Sequence, residues 1–317
     1  MRVAFVSCIC TRLFPDQPVW TWIGGQQPDH LVLLGDSLYL DIATAVHPRD
    51  MSDNDFAVHL FSLYQELINQ PTFLALVRSM TPGTVTSLWD DHDFLWNDAC
   101  GAQVHPVHTG KVRLSTAFLE VFRTALATGL APGSFPAMYN DPRFWDPNQP
   151  ALTTPSIALG TDVWLHLSDG RTNRTFAFPL PEKKRTVFGK AQRDRFTAKI
   201  GSAPEAVHLF ASGSTIAEYQ RYDVDLAWIK ALAAKQRMLV LSGDIHRNQL
   251  DGFYAGKLPL HEATSSGVAV KDAVVIGTRR QNYGLVDISA ETVTMRLFAK
   301  NVEKERRVID RTTWLPV

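Results

Sequence analysis

Residues 31–39 read Leu-Val-Leu-Leu-Gly-Asp-Ser-Leu-Tyr: a four-residue apolar run that stops on Gly35-Asp36 and sets Tyr39 three residues further on. So short a run of branched apolar residues, closed by a turn signal, reads as a buried strand and not as a helix. The same phrase recurs on both sides of it. Val3–Val6 runs into Ser7-Cys8, and Thr84–Leu88 into Asp90-Asp91-His92-Asp93. Asp162–Leu167 runs into Ser168-Asp169-Gly170-Arg171, and Val207–Ala211 into Ser212-Gly213-Ser214. Met238–Leu241 runs into Ser242-Gly243-Asp244-Ile245-His246.

Between these strands lie segments of helical period. Asp53–Asn69 is one, with Ser52 or Asp53 as N-cap and Pro71 after its end; Lys111–Thr128 is another, closed by Gly129. Ala191–Ile200 and Val224–Lys235 are two more, while Gly284–Ile288 and Thr292–Ala299 read as antiparallel strands. The Lys300–Arg311 run alternates in charge and suits an exposed strand. The pattern is α/β, turning to β at the C-terminal end, with helices expected over the sheet faces. It reads as a single domain over residues 1–317. The aperiodic span Phe135–Pro155 reads as a loop excursion that could cover the active site.

Composition narrows the function. Thirty-two basic residues balance 32 acidic ones, so no global field draws in a nucleic acid, an anionic membrane or an acidic polymer. Only a local basic patch is left open, and Lys183-Lys184-Arg185 reads as a solvated loop. Three cysteines, Cys8, Cys10 and Cys100, do not complete a disulfide framework. The opening MRVAFVSC reads as a strand and not as a secretion signal, and no apolar stretch is long enough to span a membrane. The expectation is a cytoplasmic protein with reduced thiols and a small-molecule partner.

In open α/β sheets the ligand crevice lies beyond the carboxyl ends of the strands. The groups that follow the apolar runs are carboxylates, imidazoles, a phenol and a thiol, which together suit iron, zinc or manganese. Two such ions sharing one carboxylate can clamp a phosphate oxygen, and one of them lowers the pKa of a bound water until it is hydroxide near neutral pH.

GDSLY, WDDHDFLWND and LSGDIH, in this order, resemble the signatures of the alkaline phosphatase D family, within the calcineurin-like and purple-acid-phosphatase-like metallophosphoesterases. FVSC, LHLSDGRTNR and FGKAQRDRF are similar to further segments of that family, so the resemblance extends from residue 5 to about residue 290. It implies a four-layer α/β/β/α sandwich of two mixed β-sheets with metals at one edge. It also implies hydrolysis of phosphate esters, diesters or monoesters, by a metal-bound hydroxide without a covalent protein intermediate. Carried over, Asp36 is the bridging carboxylate. Cys8, Tyr39 and His246 bind a first metal, taken as ferric iron. Asp91 and Asp244 hold a divalent ion such as calcium, manganese or zinc. His92 is the acid or charge stabiliser beside the phosphate, and Asn97 and Arg171 support the substrate. How Asp90, Asp91 and Asp93 divide between direct and outer ligands stays open. The chain departs from the family pattern at Gly170 and in lacking Trp-Leu after Gln192.

Each residue also has a plainer reading. Gly35-Asp36 could be a capped turn, Cys8 an inert buried thiol, Tyr39 a core-edge aromatic and Arg171 a partner for Asp169. Cys10, Cys100, His105, His108, His208 and His261 are assigned to packing or surface roles, and so are Trp20, Trp22, Phe144 and Trp145. Two other function classes compete. A serine hydrolase would pair Ser212, Ser214 or Ser242 with His246, although no Gly-x-Ser-x-Gly elbow is present. A non-catalytic phosphate-ester-binding protein would keep the site in degenerate form.

Overall fold

The structure is a computed structural model and describes every residue except Ala255. Two six-stranded mixed sheets face each other, and helices cover both outer sides. In the first sheet, β1 (Arg2–Val6), β2 (His30–Leu34) and β3 (Val85–Leu88) are parallel. Beside β1 the sheet continues antiparallel through β12 (Asn282–Ile288), β13 (Thr292–Ala299) and β14 (Val302–Asp310). The second sheet runs β4 (Ser156–Ala158), β5 (Val163–Leu167), β6 (Val207–Ala211), β7 (Arg237–Ser242), β9 (Pro259–Ser265) and β8 (Asn248–Tyr254), parallel from β5 to β9. A small hairpin, β10 (Lys271–Ala273) and β11 (Ile276–Arg279), stands apart.

Three apolar layers explain why the strands read as unbroken apolar runs. Val3, Phe5, Val32 and Leu34 point between the sheets, where they meet Val207, Leu209, Leu239 and Leu241. Their alternates Ala4, Val6, Leu31 and Leu33 point outward, against α1 (Val19–Gly25), α2 (Asp53–Ile68), α3 (Pro71–Ser79) and α6 (Thr109–Ala127). On the far side, Phe210, Met238 and Val240 meet α7 (Gly189–Gly201) and α8 (Asp223–Ala233). A strand covered on both faces has no polar alternate, so period-2 patterning vanishes. Each such side chain contributes about 1.5–3 kcal/mol on burial.

The expected strands and helices are present within one or two residues at most ends. Ser52 caps α2 by accepting from Asp55 N at 3.1 Å. Pro71 does more than follow α2: it is the first residue of α3, capped by Gln70, which accepts from Phe73 N at 2.6 Å. A proline fits there because that position has no helical acceptor for its missing N–H. The 135–155 excursion is anchored on the helical layer. Phe144 is fully buried and stacks on Phe118 of α6 with ring centroids 3.7 Å apart, and Phe135 packs beside it.

A polar chain crosses the outer face of the second sheet. Ser156 Oγ donates to His166 Nδ1 (2.7 Å), His166 Nε2 donates to His208 Nδ1 (3.0 Å), and His208 Nε2 donates to Ala203 O (3.0 Å). The last bond fixes the tautomers, because a carbonyl can only accept; both rings are neutral and neither can take a second proton without losing a partner. Burial and the neighbouring His208 and Lys199 hold His166 down to about 3. An unfolded histidine titrates near 6.5. Between those values the unfolded chain binds the extra proton, so this pair removes stability as pH falls and has no effect above about 6.5. The loss should reach roughly 2–3 kcal/mol by about pH 4.5. Urea midpoints measured from neutral to acid pH should fall less steeply in His166→Gln than in the parent chain; parallel acid limbs would contradict this account.

Candidate metal centre

The parallel strands of both sheets end at one edge, and their loops build the site. The backbone there is bent out of extended geometry. Cys8, Asp36, Asp244 and His246 have φ of 61°, 50°, 72° and 50°. Left-handed backbone at non-glycine residues costs about 1–3 kcal/mol each and persists only where the surroundings enforce it. Two glycines allow the loops to close. A Cβ on Gly35 (φ +91°) would lie 2.5 Å from Asp90 N, and one on Gly213 would lie 2.6 Å from Asp90 Cγ.

Asp36 lies at the centre. Its carboxylate accepts from Cys8 Sγ at 3.4 Å and from His92 N at 3.4 Å. Ligand atoms of Asp36, Asp91 and His92 fall within 4.8 Å of one another, and so do those of Asp36, Asp90 and Asp244. On the third side Tyr39 OH meets His246 Nε2 at 3.2 Å, and Cys8 Sγ meets Ser266 Oγ at 3.1 Å. The six residues expected as ligands are therefore brought to one edge, Asp36, Asp91 and Asp244 within the ligand-distance groups and Cys8, Tyr39 and His246 beside them through pairwise contacts. The grouping places Asp244 with Asp90, and Asp91 with His92. Asp93 faces away: its carboxylate accepts from Leu38 N (2.8 Å) and Asp90 N (3.2 Å), closing the short helix α4 (Asp91–Phe94) onto the Gly35–Tyr39 turn.

The supporting residues resolve differently. Arg171 is not spent on Asp169. Its Nε donates to Asp90 Oδ1 at 2.5 Å, and an Nη lies 3.4 Å from Asp91 Oδ1, with all three side chains buried. Asp169 instead accepts from Trp89 Nε1 and from the Arg171 and Thr172 backbone, while Gln192 at the start of α7 brackets its peptide. Asn97 sits exposed at the rim, donating to Asp98, whose own N–H donates to Asp91 Oδ2 at 2.6 Å. Sequence reasoning missed Asp41. Its carboxylate holds His92 Nδ1 at 2.6 Å and accepts from Asn97 N at 2.9 Å. The signal was an acid five residues past Asp36. Ser266 and Asp272, which hold His246 through its N–H and its Nδ1, carry no local signal.

The electrostatics ask for cations. Burial, then the charges on Cys8, Asp91, Asp90 and Asp93, push Asp36 well above the carboxylate range. Burial, with Asp90 and Asp91, lifts Asp244 to about 8. Burial lifts Asp91 too, but Arg171 and His92 more than cancel it and hold it low. Burial raises the Cys8 thiol, yet His246, Ser266 and Tyr39 outweigh it and bring it down to about 7. Asp90 Oδ2 and Asp91 Oδ1 are buried without a hydrogen-bond donor. Two buried guanidiniums, Arg171 and the more distant Arg174, cannot neutralise this many acids. Orphaned carboxylate oxygens, a poised thiol, a phenol and two imidazoles form a donor set that fits metal ions.

With this geometry in hand, the chain can be set beside known proteins. Neither a family model nor a curated protein sequence matches it. A solved structure of PhoD aligns with all of this chain and 71% of its own, at a TM-score of 0.71 and 13% identity. The fold is that of PhoD. Zinc-bound Vps29 from Entamoeba histolytica (TM-score 0.37, 9% identity, 98% of this chain and 100% of its own) also aligns. So does a Streptococcus pneumoniae protein described as a predicted phosphoesterase (0.33, 10%, 98% and 97%). Both scores are too low to carry an argument. The PhoD-like sandwich accounts for the four layers.

If the buried acids await cations, chelator-treated protein should melt lower than metal-loaded protein. A site-saturating divalent ion should add about 2.7 kcal/mol at a hundredfold excess over its Kd. Asp36→Asn should melt no lower than the metal-free parent, since a buried like charge is gone, yet show no rise on adding metal. An undiminished rise in that variant would remove Asp36 from the centre.

Proposed function

We propose that this chain hydrolyses small-molecule phosphate esters at a two-metal centre. The observation that supports the reading is Asp36, whose carboxylate lies within ligand distance of Asp91 and His92, within ligand distance of Asp90 and Asp244, and accepts from the Cys8 thiol at 3.4 Å. Cys8, Tyr39 and His246 would hold one ion, and Asp90 and Asp244, with Asp91 alongside, the other. Two ions bound there supply a nucleophilic water at neutral pH and draw charge from the phosphoryl oxygens. The protein's part is to fix these groups and to move a proton. Asp41 orients the His92 ring and, with Asp91, overcomes burial to keep its pKa raised. His92 sits beside Asp36 and Asp91, and these neighbours favour its protonated form, placed to steady the phosphate or to protonate the leaving oxygen. Arg171 pairs with Asp90 and Asp91 and keeps both from swinging; removing it leaves the pair buried without its guanidinium, at a cost of about 3–5 kcal/mol.

The rival readings find less support. Ser212 Oγ is engaged with Ser214 O and the Tyr219 hydroxyl, Ser214 Oγ accepts from Arg174, and Ser242 Oγ meets Thr264. His246 uses Nε2 on Tyr39 and Nδ1 on Asp272 O. Among the described residues, none of the three hydroxyls is bonded to that ring. A degenerate binding site is disfavoured by a near-complete set of candidate ligands at one edge.

Asp36→Ala and His246→Ala should each abolish hydrolysis of nitrophenyl phosphate esters and lower metal content by elemental analysis. Full activity in either folded variant would sink the assignment, and so would a parent enzyme indifferent to chelators. Asp41→Asn should bind metal as the parent does but turn over roughly 10–100-fold more slowly. An unchanged kcat would show that the Asp41–His92 bond is only structural.

A further inference from the structure

Directly after the Arg171–Arg174 segment the chain leaves the body of the protein and returns twelve residues later. Thr175 N donates to Thr186 O at 2.9 Å and Thr186 N to Thr175 Oγ1 at 3.0 Å, which closes the neck of a compact loop. The neck is pinned from beneath: buried Asp225 accepts from Val187 N and Phe188 N and pairs with Arg193. Inside the loop, Arg185 Nε holds Leu180 O at 2.7 Å. So firm a base makes the loop a fixture of the surface.

What it presents is unusual for this chain. Phe178 is 83% exposed, the highest value among its exposed large apolar residues, and Phe176 is 45% exposed. Lys183 and Lys184 follow within a few residues, both exposed, with Arg185 beside them against Glu182 alone. Among the described residues, neither lysine pairs with a carboxylate. A ring so far out of the surface has nothing to lie against on either side, so whatever receives it must envelop it. Protruding aromatics flanked by unpaired cations match the interfacial zone of an anionic bilayer, where rings enter the headgroup boundary and lysines meet lipid charge.

We propose that the Thr175–Thr186 loop docks this protein onto anionic membrane surfaces. The overall neutrality of the chain is no obstacle, because screening confines the attraction to charges within about 8 Å of the surface. The loop leaves the body one residue past Arg174 and four past Arg171, the partner of Asp90 and Asp91. The proposal does not depend on the hydrolytic reading, and its test does not use turnover to score binding.

The full chain should co-sediment with vesicles of phosphatidylcholine plus phosphatidylserine, and much less with phosphatidylcholine alone. Lys183→Gln with Lys184→Gln should weaken binding roughly 25-fold, at about fivefold per lysine. Phe176→Ser with Phe178→Ser should weaken it further at high salt, where the cations are screened. Unchanged melting temperatures confirm that both double variants are folded. Equal binding to neutral vesicles overturns the proposal, as do variants that bind like the parent and binding to polyglutamate in place of vesicles. Loss of turnover on a soluble nitrophenyl ester in the phenylalanine variant also overturns it, since the loop would then be a cover over the substrate.

Discussion

Five carboxylates, those of Asp36, Asp90, Asp91, Asp93 and Asp244, are gathered at one edge of the sandwich, four of them fully buried, with Arg171 paired to two. Two bare charges 4.8 Å apart repel by about 3 kcal/mol even at the effective dielectric of a protein site. Without a cation that repulsion favours proton uptake: Asp36 and Asp244 are lifted from the carboxylate range, and Asp90 is raised despite Arg171. A cluster that expensive survives because the rest of the fold compels it. The left-handed backbone at Cys8, Asp36, Asp244 and His246 is held by the two-sided burial of β1, β2 and β7, whose side chains lock both sheets before the chain reaches the loops.

The site in turn ties the sheets together. Asp90 follows β3 in the first sheet, yet its carboxylate is gripped by Arg171, which follows β5 in the second. Gly213, after β6, presses on Asp90 so closely that no Cβ fits between them. Ser7, after β1, accepts from Gly267 N and Val268 N, beyond β9. A bound cation would add to this cross-bracing, so metal binding and the closeness of the two sheets at this edge should be one equilibrium.

How much of this could be read beforehand follows from where the information resides. Strands such as Leu31–Leu34 and Met238–Leu241 were legible because burial on both faces leaves only apolar residues, and α2 because Ser52 and the apolar period agree. The helices α1 and α3 were not seen. The first has seven residues and no side-chain cap, and the second starts on a proline that equally marks the end of α2. Strand β8, Asn248–Tyr254, lay within the stretch expected to turn to antiparallel strands but could not be delimited, because its polar composition is that of a loop; pairing with β9 makes it a strand. At the site, residue types at strand ends were visible, since ligands must follow the apolar run. Asp41 was not, because what distinguishes it is a 2.6 Å contact with a ring 51 residues away. Nor could sequence separate adjacent Asp90 and Asp91: α4 begins between them, so one carboxylate turns towards Asp244 and the other towards His92.

The two sides of Asp36 also differ in chemistry. On one lie a thiol poised near neutrality, a phenol whose pKa burial raises well above 10, and an imidazole; on the other, the carboxylates of Asp90 and Asp244. The phenol can ionise in that buried setting only against a strongly polarising cation, while an all-oxygen set suits a harder, more labile divalent ion. A single kind of metal filling both positions would leave one donor set mismatched. The asymmetry makes the two sides of Asp36 chemically distinct, with the Asp36 carboxylate accepting from Cys8 and grouped with Asp90 and Asp244, so that a charge on either side is felt through it.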